Sequence, residues 1–411
     1  MPTPRSIQRT YLVLTTVTTL ATSFIWGVNT LFLLDAGLSN TEAFAANAFY
    51  AIGQVLFEVP TGVIADTRGR RFSYLLGAAT LLVSTVLYLV MWQIQAPFIG
   101  WALASAVLGL GFTFFSGATE AWLVDALGAT GFSGQLDTVF GRAQTASGAA
   151  MLIGSVAGGV VAQIADLGVP YILRAGMLGV TLVIAYRFMH DVGFTPRHGA
   201  DPVTEVRNVV RGSIDAGWRN PPVRALMLAA PFSSGVGFFA FYASQPYLLQ
   251  LYGDPDAYSV AGLAAALFAG AQILGGLLVP YARRLFRRRT DAVLIGTVAS
   301  VGIFLVIGVT DSFVLALVLL AAWALVFAVE GPLRQAFING IIPSEQRATV
   351  LSFDSFMGSI GGAVAQPALG RVSDVYGYGP AYLVAGVAQA FAIPFVILAR
   401  RQRAASDPIT A

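Results

Sequence analysis

Gly62-Val63-Ile64-Ala65-Asp66-Thr67-Arg68-Gly69-Arg70-Arg71 is a short polar turn set between two long apolar runs. Residues 72–94, after it, carry no charge at all, and in residues 41–65, before it, Glu58 is the one carboxylate well inside the run. A helix needs about twenty apolar residues to cross roughly 30 Å of hydrocarbon. Lipid offers no partner to backbone polar groups, so such runs must be helical. The turn is therefore read as a loop between two membrane-spanning helices.

The same alternation extends along the chain in both directions. Apolar runs fall near 10–34, 41–65, 72–94, 98–126, 138–165, 168–190, 222–250, 258–282, 290–310, 312–341, 346–373 and 380–400. Of the 411 residues, 56% are hydrophobic and 11% charged, against roughly 25% charged in a soluble domain. The expected fold class is an all-α membrane protein of twelve transmembrane helices. The first run follows Arg5 and Arg9 as a signal peptide would, but it is too long for one and eleven more follow, so it is read as helix 1. There is no cysteine, which excludes disulfides and thiolate metal sites.

The arginines set the expected orientation. With the N-terminus in the cytoplasm, inner segments hold Arg68, Arg70, Arg71, Arg142, the arginines of 187–224, Arg283, Arg284, those of 287–289, Arg347 and the tail. Outer segments hold mainly Asp35, Asp166, Asp254, Asp256 and Asp311, with Arg371 as the exception. That is the positive-inside pattern with both termini cytoplasmic. The net charge of +3 sits in short loops, so it is no signal for nucleic acid. Every basic residue is arginine, a pattern read as codon bias.

The longest polar stretch, 191–221, divides the chain into a six-helix bundle at 1–190, a cytoplasmic linker and a second six-helix bundle at 222–411. The halves repeat weakly. Residues 49–58 align with 267–276, and at the same offset Arg70 and Arg71 fall on Arg288 and Arg289. Gly117 to Glu120 aligns with Gly331 to Arg334. Such repeats belong to transporters, with the substrate site near mid-membrane between the halves.

The turn itself resembles the signature loop between helices 2 and 3 of the major facilitator superfamily: Gly62, then Asp66, then Arg68, Gly69, Arg70 and Arg71. The resemblance covers the whole chain through its six-plus-six layout. It implies a secondary transporter whose helices 1, 4, 7 and 10 line a central cavity, and it makes these six residues a gating motif. Physically, Asp66 closes helix 2 at its C-terminal end, where the helix dipole disfavours an anion. The N-terminus of helix 11, around Ser344 to Arg347, is the partner expected. Gly62 lies one turn earlier, facing small residues of helix 11 at Ser352, Ser355, Ser359 and Gly362. Arg70 and Arg71 are expected to reach Asp125 or Asp137, or else only to fix topology. The second copy has Arg284 in place of Asp66.

Ionisable side chains inside a span cost roughly 2.5–3.5 kcal/mol on insertion scales and face protein or water. Glu58, Glu120, Glu330, Arg334 and Asp354 are the candidates for coupling or gating, with Arg174 the basic residue near the outer end of helix 6. Glu58 shares a helical stripe with Gly62 and Asp66 and is read either as a protonation site or as bonded to a serine of helix 11. Pro60 is expected to bend helix 2. Glu330 and Arg334 have the spacing of an intrahelical pair. The Gly331-Pro332 step is expected to break that helix, as at a cavity wall. Glu120 and Arg334 occupy equivalent positions in the repeat and are expected to pair as a gate in the outward-facing state.

Trp26, Asn29, Phe238, Phe239, Tyr242, Trp323 and Phe327 are the expected cavity residues, or else lipid-facing aromatics. An aromatic cavity with few fixed charges suits lipophilic compounds. There is no nucleotide-binding loop and no lysine to build one, so no cofactor is expected and energy would come from a proton gradient. Helix 4 lacks the mid-helix arginine common among proton-coupled exporters of the superfamily; its stretch reads Ala106-Val-Leu-Gly-Leu-Gly-Phe-Thr113. The preferred expectation is efflux of a drug-like compound by proton antiport, in the cytoplasmic membrane of a bacterium, by a monomer. Uptake by symport or uniport, and lipid translocation, are the alternatives. A membrane enzyme is disfavoured, since there is no His-Glu-x-x-His pair and both histidines, His190 and His198, lie at or beyond a cytoplasmic helix end; no metal is expected.

Overall fold

The structure, a computed structural model, describes residues 2–196, 217–342 and 347–409, with residues 204, 207 and 211. His198, Ser344 and most of the 191–221 segment lie outside the described residues, as do the side chains of Asp137 and Arg347. The helices are α1 (Pro4–Ser23), α2 (Asn29–Asp35), α3 (Asn40–Arg68), α4 (Arg70–Gln93), α5 (Phe98–Thr113), α6 (Ala118–Ala129), α7 (Leu136–Ile164) and α8 (Val169–Phe188). They continue with α9 (Pro221–Tyr252), α10 (Tyr258–Leu285), α11 (Arg289–Ile307), α12 (Phe313–Asn339), α13 (Arg347–Tyr376), α14 (Tyr378–Ala390) and α15 (Ala392–Arg401).

Ten helical stretches among the described residues are long and apolar enough to cross a membrane, counting α5–α6 and α14–α15 as one stretch each. Two of the twelve expected runs are not among them. The run at 10–34 is interrupted between α1 and α2, and α13 carries Asp354, Gln366, Arg371 and Asp374 among its apolar residues. The outward faces are apolar: Leu277 is 65% exposed and Val364 66%. Side chains of that kind in such numbers need lipid, not water, around them.

The helix ends follow local chemistry. Thr3 and Ser6 form a reciprocal capping box at the start of α1, with Pro4 in its first turn. Ser312 accepts from Leu315 N at the start of α12. The expected break at Gly331-Pro332 is not made: α12 runs unbroken through Pro332. The break falls at the aligned place in the first half, between α5 and α6, where Gly117 takes φ 67°. Only glycine adopts that conformation without steric cost. Likewise α3 continues through Pro60, with the Thr61 hydroxyl donating to Phe57 O at 2.8 Å beside the proline.

The chain divides into two compact units, and neither is a contiguous half. One holds Met1–Gly37, Phe49–Val206 and Ala257–Ala266; the other holds Leu38–Ala48, Arg207–Asp256 and Leu267–Ala411. In the first unit α1 packs on α7 and α8, and α4 on α5 and α8. Its core includes Tyr11, Leu14, Tyr74, Trp122, Leu123 and Val139. The α1–α2 turn approaches α7 so closely that a Cβ on Gly158 would stand 1.8 Å from Phe24 O. In the second unit α9 packs on α13 and α15, and α11 on α12 and α14. Val223, Leu226, Met227, Val293, Phe337 and Val396 centre its core. There a Cβ on Gly361 would stand 2.2 Å from Pro231 O.

Candidate functional site

The polar turn at 62–71 is held within the first unit. Gly69 takes φ 111° and caps α4; a Cβ there would strike the Asp191 carboxylate at 2.4 Å. Asp191 accepts from Arg71 N at 2.9 Å, a role the sequence did not reveal, since 120 residues separate the two. Arg70 Nη1 donates to Asp66 Oδ1 at 2.5 Å, and its Nε lies 3.9 Å from Asp125 Oδ2. The expected reach from Arg70 to Asp125 is therefore present. Arg71 turns elsewhere, donating to Tyr186 O at 2.6 Å and lying 5.1 Å above the Tyr186 ring. Arg68 sits 5.8 Å over Phe72. Among the described residues no atom lies within 4 Å of the place a Gly62 Cβ would take.

Glu58 finds a serine, but not one of helix 11. Ser116 Oγ, in the break between α5 and α6, donates to Glu58 Oε1 at 2.6 Å. Glu120 begins α6 just past that break, in its first turn and exposed. The broken helix thus supplies the serine that Glu58 of α3 meets and carries Glu120 just past the left-handed Gly117.

The second unit carries a charge cluster of its own. Arg334 of α12 grips Asp354 of α13 through both terminal nitrogens, with Nη2 to Oδ1 at 2.6 Å and Nη1 to Oδ2. Nη2 also donates to Leu226 O of α9 at 3.0 Å. Such two-point pairing is among the strongest side-chain contacts. The carboxylate partner of Arg334 is therefore Asp354, and no intrahelical ion pair with Glu330 is formed among the described residues. Glu330 turns toward α11, where its Oε2 would stand 2.9 Å from a Cβ on Gly296 and Thr297 faces it. Arg334 thus bonds one carboxylate, Asp354 of α13, and acts on the second, Glu330 of its own helix, only through space.

The aromatic candidates separate by environment. Phe239 is fully buried against Phe44 and Tyr382, and Trp323 packs on Phe268, Phe304 and Phe327. Asn29 is buried and accepts from Tyr171 at 2.9 Å. These three are core residues of their units. Phe238 and Phe327 are exposed, at 39% and 42%, and Trp26 and Tyr242 are half-buried. These four keep accessible surface. Among the described residues no cluster of three His, Asp or Glu is placed to hold a metal ion.

The fold has close counterparts among solved structures. A nucleoside transporter, NupG, superposes with a TM-score of 0.78 at 11% identity, over 95% of this chain and 98% of its own. A bacterial homologue of the human lysosomal transporter Spinster gives 0.72 at 15% identity, over 98% and 97%. A D-xylose-proton symporter gives 0.66 at 15% identity, over 96% of both chains. No curated protein sequence matches the chain. The sequence profile of the Major Facilitator Superfamily matches residues 11–365. With that match, the membrane-crossing helices and the transporter folds beside it, the chain is a multi-pass membrane transporter that belongs to the major facilitator superfamily.

Proposed function

We propose that this transporter is driven by protons and exports a lipophilic, drug-like solute, its two six-helix bundles alternating in access about a central site. The observation that carries the coupling is the ratio of two carboxylates to one guanidinium in the Glu330–Arg334–Asp354 cluster. With Arg334 neutralised by Asp354, an ionised Glu330 leaves one unpaired negative charge within a span. Such a charge is costly there, and taking up one proton removes it. Arg334, Asp354, Thr297 and the Leu226 carbonyl are the groups that face this exchange. The exposed Phe238 and Phe327 and the half-buried Trp26 and Tyr242 supply apolar contact for the solute. In this reading the protein works as a monomer in a bacterial cytoplasmic membrane, with both termini inside.

The test is uptake into proteoliposomes of the full-length protein. An acid-inside gradient should drive accumulation of a lipophilic dye, and Glu330→Gln should leave exchange but remove its response to the gradient. Accumulation driven by acid outside would instead assign symport. Equal uptake with and without a gradient, in wild type and variant alike, would overturn proton coupling altogether.

A further inference from the structure

Arg174 of α8 is 2% exposed, one of the most buried large side chains in the protein. Its Nε donates to Thr85 Oγ1 of α4 at 3.0 Å. Its Nη2 is fully buried and has no hydrogen-bond partner. The groups that face the guanidinium electrostatically are three phenols, Tyr50, Tyr88 and Tyr171. Two of these hydroxyls are bonded elsewhere, Tyr88 with Ser105 Oγ at 2.6 Å and Tyr171 to Asn29 Oδ1 at 2.9 Å. The phenols are neutral, so they solvate the cation without balancing it.

No carboxylate among the described residues pairs with Arg174. Three acids of the same unit are engaged elsewhere: Asp35 accepts from Trp92 Nε1 at 2.7 Å, Glu58 from Ser116, and Asp166 from the amides of Gly168 and Val169. The contrast with Arg334, which has a carboxylate and a carbonyl, is complete. A lone buried charge costs several kcal/mol after relaxation. Lysine or glutamate would escape by changing protonation; arginine stays charged in proteins. Nothing among the described residues balances the charge, and an anion from outside the chain would.

We infer that Arg174, with Thr85 and the three tyrosines around it, is a binding site for a small monovalent anion, either a free halide or the carboxylate of a small acid. The inference does not depend on the direction or the coupling of transport. A compact anion accepts from the guanidinium and balances it. The aromatic ring of Phe32 stacked on Tyr171, with centroids 4.0 Å apart, and the Tyr88–Trp101 pair at 5.3 Å hold the phenols around it.

Thermal unfolding of the full-length purified protein tests this, with sodium chloride, bromide or acetate compared against sodium gluconate at equal ionic strength. An anion bound only by the native state raises the midpoint in proportion to the logarithm of its concentration. The wild type should respond to the small anions and not to gluconate, and Arg174→Gln should abolish the difference. A halide-only response identifies a resident ion; a response to acetate identifies a carboxylate subsite. Should Arg174→Gln fail to fold, Arg174→Lys keeps the charge and should keep a weakened response. Bromide-soaked crystals of the wild type should show anomalous density against the Arg174 guanidinium. No such density, or equal stabilisation by chloride and gluconate, would overturn the inference.

Discussion

At the scale of the residue, the buried ion pairs were the least legible part of the chain. Arg334 stands four residues from Glu330, and the repeat aligns it with Glu120, so sequence offered two partners. The structure chose Asp354, twenty residues on, which only the packing of α12 against α13 brings within reach. Glu58 shows the same limit: a protonation site and a bond to a serine of helix 11 are equal readings of the sequence, and the serine it meets is Ser116, in the break between α5 and α6 of its own unit. Periodicity reports which face a residue occupies, not which neighbouring helix that face meets. A test follows from the geometry. Arg334 and Asp354 side chains are 19% and 10% exposed. Removing one partner, as in Asp354→Ala, should cost about 3–5 kcal/mol in unfolding free energy, because it strands a buried charge. Replacing the pair together by Met and Leu should cost much less. Denaturant unfolding in detergent measures both.

At the scale of the element, the motif loop was legible because its physics is local. A glycine, an acid and a run of arginines at a helix junction mark the α3–α4 turn and offer Asp125 as one of two carboxylates for Arg70 and Arg71, of which Arg70 approaches it. Helix breaks were not. Sequence put one at Gly331-Pro332, yet α12 continues there, and the break falls at Gly117, where nothing but a glycine marks it. Proline inside a spanning helix is tolerated when neighbours re-satisfy the freed backbone, so it is a weak punctuation mark in membrane chains.

The start of α3 carries a second element-scale prediction. Asp374, past the apolar run of α13, accepts from the amides of Asn40 and Thr41 at 2.8 and 2.9 Å and from the Thr41 hydroxyl at 2.5 Å. Burial pushes its carboxyl up, but the bonds from Thr41 and Asn40 prevail and hold it below its ordinary value of 3.8. A carboxyl depressed in the folded state stabilises above its unfolded value, and that gain is lost as pH falls through the folded one. Wild type should therefore exceed Asp374→Asn in stability at neutral pH, with the gap closing below roughly pH 4. Thermal melts of the two proteins across pH measure it. A gap that widens in acid would contradict the sign.

At the scale of the molecule, the class was written in composition: too few charges for water, and runs of spanning length. The compact units were not, since residues 38–48 and 257–266 each join the unit built mainly from the other part of the sequence. Such exchange of helix ends depends on long-range packing and leaves no periodic trace. The proposed topology has a direct test, because the chain has no cysteine of its own. Single cysteines at Arg5 or Gln402 should react with a membrane-impermeant maleimide only from the cytoplasmic side, and those at Asp254 or Asp311 only from outside. Labelling of all four from one face would refute the orientation.

The tail after α15 folds back on the start of α11. Asp407 is 1% exposed and accepts from Thr290 N and Oγ1 at 2.9 and 2.8 Å, while Arg289 N donates to Asp407 O at 2.9 Å. It thus caps α11 from a distant part of the chain, and Asp407→Ala should cost about 1–2 kcal/mol in chemical unfolding, as the loss of a well-made helix cap does. That has a practical side for anyone purifying the protein. An affinity handle fused directly behind Ala411 would pull on the peg that seats α11, so yield should improve when a flexible spacer separates the two, or when the handle is moved to the other end of the chain.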